Sequence, residues 1–587
     1  MSSNSFIEWT RLLGSSEKDS GNAITTGSDG SIYIAGSTEG DLDRQTNSSS
    51  SDAFISKFNS DGTKEWTRLL GTSTIDYGNA LTTGSDGSIY MVGSTKGNLE
   101  SQTNNGNSDA FICKFNPDGT KDWTRLIGGS ENDVGNAITT GSDGSIYIAG
   151  YTDSALDGQT KYDEVYTNSG YKYLERRDFF ISKFNPDGTK DWTRLLGNSQ
   201  SEIVNTLSIS NDESIYISSI QEEYLPTIGG SGPSPLQYTH YVKKYNPEGT
   251  HEWSIDIGRD LVWDGHLSEE ISLTRSLNSP GNALTTSKDG SIYFVGSESN
   301  DAFICKVNSD GSIKWKEKLG SSISNYGNSI TIKDDGSIYI AGLTFGDLDG
   351  QKNTGGTDAF ISKFKSDGTK DWTRLIGDSK NDYGKSITSN SDGLIYIVGT
   401  TEGDLNGQTT SGSSDAFIKK ITNLYIPKEI TLSKSSFNED IDFGTHVATL
   451  SSSDKDLSDT HTYELVRGEG DVDNIFFTIE GNNLKNKFYP YYETKSSYNI
   501  RLKTVDKGGL SYEKKLTLKV NDIDEGNIGL GISKSSFNEN IGLGSVIAEL
   551  FTTDQTSSNS YNFFLVKGEG DSDNDSFTID GNKLKTI

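Results

Sequence analysis

Seven of the eight tryptophans in this 587-residue chain occupy one recurring place: Trp9, Trp66, Trp123, Trp192, Trp253, Trp315 and Trp372 follow one another at intervals of 57 to 69 residues. Each is followed by a second block, SIYIAG at 31, SIYMVG at 88, SIYIAG at 145, SIYISS at 214, SIYFVG at 291, SIYIAG at 337 and LIYIVG at 394. A third block runs DAFISKF at 52, DAFICKF at 109, DFFISKF at 178, HYVKKY at 240, DAFICKV at 301, DAFISKF at 358 and DAFIKKI at 415. Every unit divides into four short β-branched or aromatic runs separated by Gly and Asp-Gly turns. Asp-Gly supplies the positive φ that a tight hairpin needs, so each unit reads as one antiparallel sheet of four strands. Such a sheet cannot bury both of its faces alone, and stacked repeats of this length read as an all-β propeller of seven blades over residues 1–424.

The ends of the array predict closure. The chain opens on a Trp strand, Phe6 to Leu13, with no DAFI strand before it, and the array ends on a DAFI strand, Asp415 to Ile421, with no Trp strand after it. Pairing the two completes the last blade and removes an open sheet edge, the usual site of edge-to-edge aggregation. The GNAI, IYxxG and DAFxxK blocks resemble the bacterial seven-bladed β-propeller repeat family, over about residues 5 to 424. That resemblance implies an architecture and says almost nothing about activity, because propellers host many unrelated functions.

Composition narrows the partners. Acidic side chains outnumber basic ones 83 to 53, a net charge of −30, which repels nucleic acid and anionic membrane surfaces and attracts cations. No run of residues approaches the roughly 18 apolar positions of a membrane span, and the N-terminus MSSNSFIEWTRLLG lacks the basic and apolar regions of a secretory signal. Only two cysteines occur, Cys113 and Cys305, both in the same FICK position of different repeats. They read as small buried residues standing where other units have Ser56 or Ser182.

The loop before GNAI and the loop after IYIAG are expected on one face of the propeller. The first of these places Asp19, Asp76, Asp133, Glu202, Asn325 and Asp382 at the start of the innermost strands. Two readings follow: an acidic ring that binds a cation or a polar ligand, or Asp side chains that cap their own turns. Blades three to five carry insertions within residues 151–177, 220–239 and 258–280, with Tyr171, Arg177, Trp263 and His266 as an aromatic and basic sector suited to a glycan or protein ligand. The five histidines, at 240, 251, 266, 446 and 461, form no zinc spacing, and neither GxSxG nor a phosphate-binding Gly loop is present, so a catalytic role is not indicated.

After a linker at 425–429 a second self-similarity begins, with an offset of 100 residues. LSKSSFNEDI at 432 returns as ISKSSFNENI at 532, LVRGEGDVDN at 465 as LVKGEGDSDN at 565, and FTIEGNNLK at 477 as FTIDGNKLK at 577. Alternating strands such as TYELV and YNIRLKTV indicate β-sandwich units, one over 430–527 and a second over 528–587. The second is expected to extend to about residue 631, with the counterparts of 488–531 lying beyond Ile587, and so to be the least stable part.

These units resemble bacterial cadherin-like domains, which implies Ca²⁺ shared at domain ends. By that resemblance FNE gives Glu439, YYE gives Glu493, and NDIDE gives Asp522, Asp524 and Glu525. SDKD gives Asp454 and Asp456, VDKGG gives Asp506, and the second unit retains Asp554. Tyr491 departs from the family's DRE motif, and DQT at 554–556 has lost its second Asp. Carboxylates from separate loops suit Ca²⁺, which takes six to eight hard oxygen ligands. The whole then reads as a non-enzymatic cell-surface or secreted protein, with the propeller as recognition head and the cadherin-like modules as a calcium-stiffened stalk. The rivals are a polysaccharide lyase or hydrolase and an intracellular scaffold.

Overall fold

The Asp-Gly turns fold as their chemistry dictates. Gly30 and Gly62 adopt φ of 80° and 83°, and the Asp before each caps its own turn: Asp29 accepts the Ser31 amide at 2.9 Å and Asp61 the Thr63 amide at 2.8 Å. The computed structural model describes residues 8–48, 50–161, 177–197, 200–224, 236–262, 283–298, 301–320, 324–421, 427–454, 460–506, 511–523, 529–552 and 561–587. Packing divides the chain into two units, 1–424 and 425–587.

Among the described residues the first unit holds seven four-stranded antiparallel sheets. In the first, strands Asp19–Thr26, Ile32–Thr38, Asp52–Phe58 and Lys64–Leu70 lie side by side in chain order. The last sheet takes its outer strand from the start of the chain, with Trp9–Leu13 pairing antiparallel to Asp415–Ile421 from Trp9↔Lys420 to Leu13↔Ala416. The innermost strands pack one against the next, and Asp382–Ser389 returns onto Asp19–Thr26, so the ring is closed as expected. Apolar faces meet between sheets: Ala35 and Ile55 of one blade pack with Met91, Phe111 and Cys113 of the next. Cys113 is fully buried, its Sγ 3.1 Å from Thr124 Oγ1, where other blades place Ser56 against Thr67 at 2.8 Å.

The recurring WTR motif links neighbouring blades. Trp9 Nε1 donates to the Ser60 carbonyl at 3.1 Å and Arg11 Nε to the Gly62 carbonyl at 3.0 Å. A Cβ at Gly62 would stand 2.8 Å from the Trp9 ring, so that turn must be glycine for space as well as for φ. Trp66 and Arg68 repeat the arrangement on Pro117 and Gly119.

A second link runs around the inner strands. A register shift between Gly21 and Ala23 leaves Asn22 as the extra residue of a bulge. Its amide donates to the Gly78 carbonyl of the next blade at 2.9 Å, and Asn79, Asn136 and Asn328 do the same to Gly135, Val204 and Gly384. In the last blade Lys385 takes this position and donates to Ser20 Oγ at 2.6 Å and Asn22 Oδ1 at 3.0 Å. Loss of solvation pushes its ammonium down to about 8. Asn79→Ala is expected to lower propeller stability by about 1 kcal/mol, one interblade hydrogen bond, read from the denaturant midpoint.

The second unit contains a two-sheet sandwich. Glu429–Leu432, His446–Ser453, Asn483–Asn486 and Phe477–Glu480 form one sheet, and Ser436–Asn438, Ser511–Asn521, Ser497–Asp506 and His461–Leu465 the other. Ile430, Phe437, Phe477, Leu484, Tyr498 and Leu518 fill the space between them. The second copy forms one four-stranded sheet among the described residues. Its Leu530 and Phe537 are 70% and 52% exposed, whereas the corresponding Ile430 and Phe437 are 0% and 6% exposed.

Candidate functional site

Among the described residues, Glu439 belongs to a group of three carboxylates close enough to share one ion. It follows the short strand Ser436–Asn438, which runs parallel to the end of Ser511–Asn521 with Asn438 opposite Asn521. That register brings the Glu439 side chain, 1% exposed, between two other segments. Its Oε2 accepts the Tyr492 amide and its Oε1 the Ile523 amide, each at 2.8 Å. The residues next to those two amides are Glu493 and Asp522. One carboxylate oxygen from each of Glu439, Glu493 and Asp522 lies within 4.8 Å of the others. Glu493 and Asp522 are exposed.

Three carboxylates at this separation repel one another, and hard oxygens with free lone pairs are the donor set that Ca²⁺ takes. Each Glu439 oxygen is held by one amide, which leaves a second lone pair for a cation. The residues present therefore fit a divalent ion. Asp524, Glu525, Asp456 and Asp554 lie outside the described residues.

The other predicted carboxylates meet a partner that sequence reasoning missed. Asp506 is paired across the sheet with His461, and His461 Nε2 lies 3.5 Å from Asp454 Oδ2. Asp454 and Asp506 thus border one imidazole. The shared side of His461 and Asp506 comes from the register of His461–Leu465 against Ser497–Asp506, which the sequence does not display. Asp473, in the GEGDVDN loop, is 3% exposed; its Oδ2 accepts the Asn499 amide at 2.8 Å, and Lys495 Nζ lies 2.5 Å from its Oδ1. It serves the sandwich itself.

In the propeller, Asp19, Asp76, Asp133 and Asp382 are inside the structure, 0–1% exposed, and not spread on an open rim. Each caps the turn before its strand. Asp19 Oδ2 accepts the Ser15 amide at 2.6 Å, Asp76 the Thr72 amide at 2.7 Å, Asp133 the Gly129 amide at 2.8 Å and Asp382 the Asp378 amide at 2.9 Å. Burial without a compensating cation raises all four carboxyls, Asp133 to about 6 and Asp382 to about 7. Of the inserted sector, Arg177 stacks its guanidinium 4.6 Å from the Tyr151 ring centre, with Nε 3.6 Å from Asp153. Tyr171, Trp263 and His266 lie outside the described residues.

Comparison with known proteins accords with this architecture. The β-propeller repeat family SBBP matches residues 8–43, 65–100 and 122–156, and a β-propeller domain of unknown function, DUF5122, matches 84–124. The regulatory protein FlaEY of Caulobacter vibrioides is 24% identical over 419 residues, 68% of this chain and 38% of that protein. The chain thus spans less than two fifths of that relative's length. Among solved structures, the Pan2 WD40 domain of Neurospora crassa superposes with a TM-score of 0.38 at 9% identity, over 69% of this chain and 90% of that one. Human protocadherin-24 EC1-2 superposes with a TM-score of 0.17 at 19% identity, over 27% of this chain and 78% of that one.

Proposed function

We propose that this chain is a non-enzymatic recognition protein of the cell surface or the extracellular medium, with the propeller as its binding head and the C-terminal sandwich units as a cadherin-like stalk that Ca²⁺ stiffens. The observation that carries this reading is the meeting of Glu439, Glu493 and Asp522 from three separate segments. A cation there ties the strand end at 439 to the 492–493 and 522–523 segments, whose amides Glu439 already holds. Ca²⁺ is the fitting ion, because the site offers only hard oxygens and two of its three side chains reach solvent. The resemblance to cadherin-like domains adds Asp524, Glu525 and Asp554 to the proposed ligand set. The ligand of the head is a protein or a glycan, taken up in the sector that carries Arg177 and the insertions. A strongly acidic surface argues against nucleic acid. Among the described residues no helix is long and apolar enough to cross a membrane.

The test is calorimetry of the full chain in millimolar Ca²⁺ and in chelator. The sandwich transition is expected to rise in Ca²⁺, by about 2.7 kcal/mol when the free ion is a hundredfold above its dissociation constant. The double variant Glu493→Gln, Asp522→Asn is expected to lose that rise. An equal transition in Ca²⁺ and chelator for the unmodified chain would refute the site.

A further inference from the structure

Four seams between blades each bury two aspartates. The pairs are Asp19 with Asp415, Asp76 with Asp52, Asp133 with Asp109 and Asp382 with Asp358. Backbone bonds set them side by side: the amides of Asp19, Asp76, Asp133 and Asp382 donate to the carbonyls of Ser414, Ser51, Ser108 and Thr357 at 2.7 to 2.9 Å, and each of those carbonyls precedes the partner Asp. All eight residues are 0–2% exposed. The partner aspartates are also held by amides, Asp415 by Ser411 at 3.0 Å, Asp52 by Ser48 at 2.9 Å, Asp109 by Asn105 at 3.0 Å and Asp358 by Thr354 at 2.9 Å, and the Ser48 hydroxyl donates to the other oxygen of Asp52.

The remaining oxygen of each inner Asp is the anomaly. Oδ1 of Asp19, Asp76, Asp133 and Asp382 is buried and receives no donor, and the same holds for Oδ1 of the partners Asp109, Asp358 and Asp415. The hydroxyl beside it belongs to Thr38, Thr95, Thr152 or Thr401. That hydroxyl already donates elsewhere, to the carbonyl of Gly40 at 2.9 Å, Gly97 at 3.1 Å, Ser154 at 3.0 Å or Gly403 at 2.9 Å. The charged groups facing these four are acidic as well: besides the partner aspartates, Asp153 faces Asp133, and Asp378 faces Asp382. The phenols of Tyr151 and Tyr383 complete the surroundings of the last two. Asp153 itself has Arg177 Nε at 3.6 Å.

The seams that depart from Asp show what the pairs lack. In blade four the residue is Glu202, and the Lys243 ammonium reaches its Oε1 inside the sheet, with Ser219 Oγ donating to the same oxygen at 2.6 Å. In blade six it is the neutral Asn325, and the partner Asp301 has Lys318 at 3.7 Å. At the two described seams where the Asp is replaced, charge is thus compensated or deleted. At the four Asp–Asp seams the chain packs closely against one side of each pair, since a Cβ at Gly14, Gly71, Gly128 or Gly377 would stand only 2.1 to 2.4 Å from the partner carboxyl.

We propose that each of these four seams binds one proton in the folded propeller, so that Asp19, Asp76, Asp133 or Asp382 and its partner Asp together carry a single negative charge. Two buried carboxylates side by side cannot both ionise without a large cost, and one proton per pair removes it. The raised carboxyls of these four residues follow from the same burial. Because the folded state holds these protons more tightly than an unfolded Asp near 3.9, their contribution to stability is complete below about pH 4. It is lost as pH rises through the folded values, about 6 for Asp133 and about 7 for Asp382.

The test is denaturant unfolding of the full chain in chelator at pH 5 and pH 8.5, for the unmodified protein and for Asp133→Asn, Asp382→Asn. The propeller's folded-to-unfolded ratio is expected to fall between the two pH values by at least about tenfold more in the unmodified protein than in the variant. Infrared spectra of the unmodified chain supply a readout that needs no variant: a protonated-carboxyl band at pH 5.5 that fades by pH 8.5. Absence of that band at pH 5.5 would overturn the proposal. So would a variant weakened by the same factor at both pH values, or a propeller transition that falls when chelator is added at pH 8.5, which would mean that ionised carboxylates hold a metal ion.

Discussion

Removal of residues 1–13 is expected to abolish the cooperative unfolding of the propeller. The deletion takes away the outer strand of the last blade and with it the five paired positions from Trp9↔Lys420 to Leu13↔Ala416. It unpacks Leu13, 4% exposed, and the Trp9 ring, 6.1 Å from Tyr396. It also removes Glu8, whose carboxylate accepts two hydrogen bonds from Arg374 Nη1 at 2.9 and 3.1 Å. At about 1 kcal/mol per hydrogen bond and about 1.5–3 kcal/mol per buried apolar side chain, the loss exceeds about 5 kcal/mol. Whole domains have only about 5–15 kcal/mol to lose. The strand left at the edge, Asp415–Ile421, is buried along its full length and would then expose apolar residues and unpaired backbone groups together. Calorimetry and gel filtration check this, and a deletion variant that keeps a sharp propeller transition and remains monomeric would contradict it.

Glu439→Ala is expected to be the most damaging single substitution in the sandwich. It leaves the Tyr492 and Ile523 amides without their acceptor, at about 1–3 kcal/mol for each unsatisfied group, or roughly 2–6 kcal/mol in all. The loss should persist in chelator, because the two amide bonds do not depend on an ion. Glu439→Gln retains one side-chain carbonyl oxygen, so it should cost less in chelator yet still remove the response to Ca²⁺. Comparing the two variants therefore separates the structural role of Glu439 from its role as a ligand. If both melted as the unmodified chain does in chelator, the clamp would not matter to stability.

The architecture was largely legible because its determinants are local and repeated. Trp at one place in seven units, Asp-Gly turns and a missing strand at each end of the array led to seven sheets and to the pairing of Trp9–Leu13 with Asp415–Ile421. The direction of individual side chains was less legible. The bulge at Asn22 breaks the strict alternation of the inner strand, so parity alone could not say that Asp19 turns into a seam while Asn22 reaches the next blade. The meeting of Glu439, Glu493 and Asp522 rests on the register of a short parallel strand, and only the resemblance to cadherin-like domains pointed to those residues. Lys243 on Glu202 joins residues 41 positions apart, His461 beside Asp454 depends on how the chain turns between them, and neither pairing leaves a motif. Lys385 was visible as GKSI where other units read GNAI, but its reach to Ser20 depends on ring closure.

The shared last blade also bears on how the chain is made. Leu13 finds its partner Ala416 only about 400 residues later. At about 5–20 residues per second, the first strand waits roughly 20–80 s on the ribosome before its place exists. During that time six blades can condense one upon the next, each from contacts within some 60 residues, while the opening segment stays unpaired. Completion of the head is therefore a single late event of very high contact order. Agents that occupy the vacant edge of Asp415–Ile421 during synthesis, including the leading segment of a second nascent copy, would compete with correct closure and yield chains linked head to head.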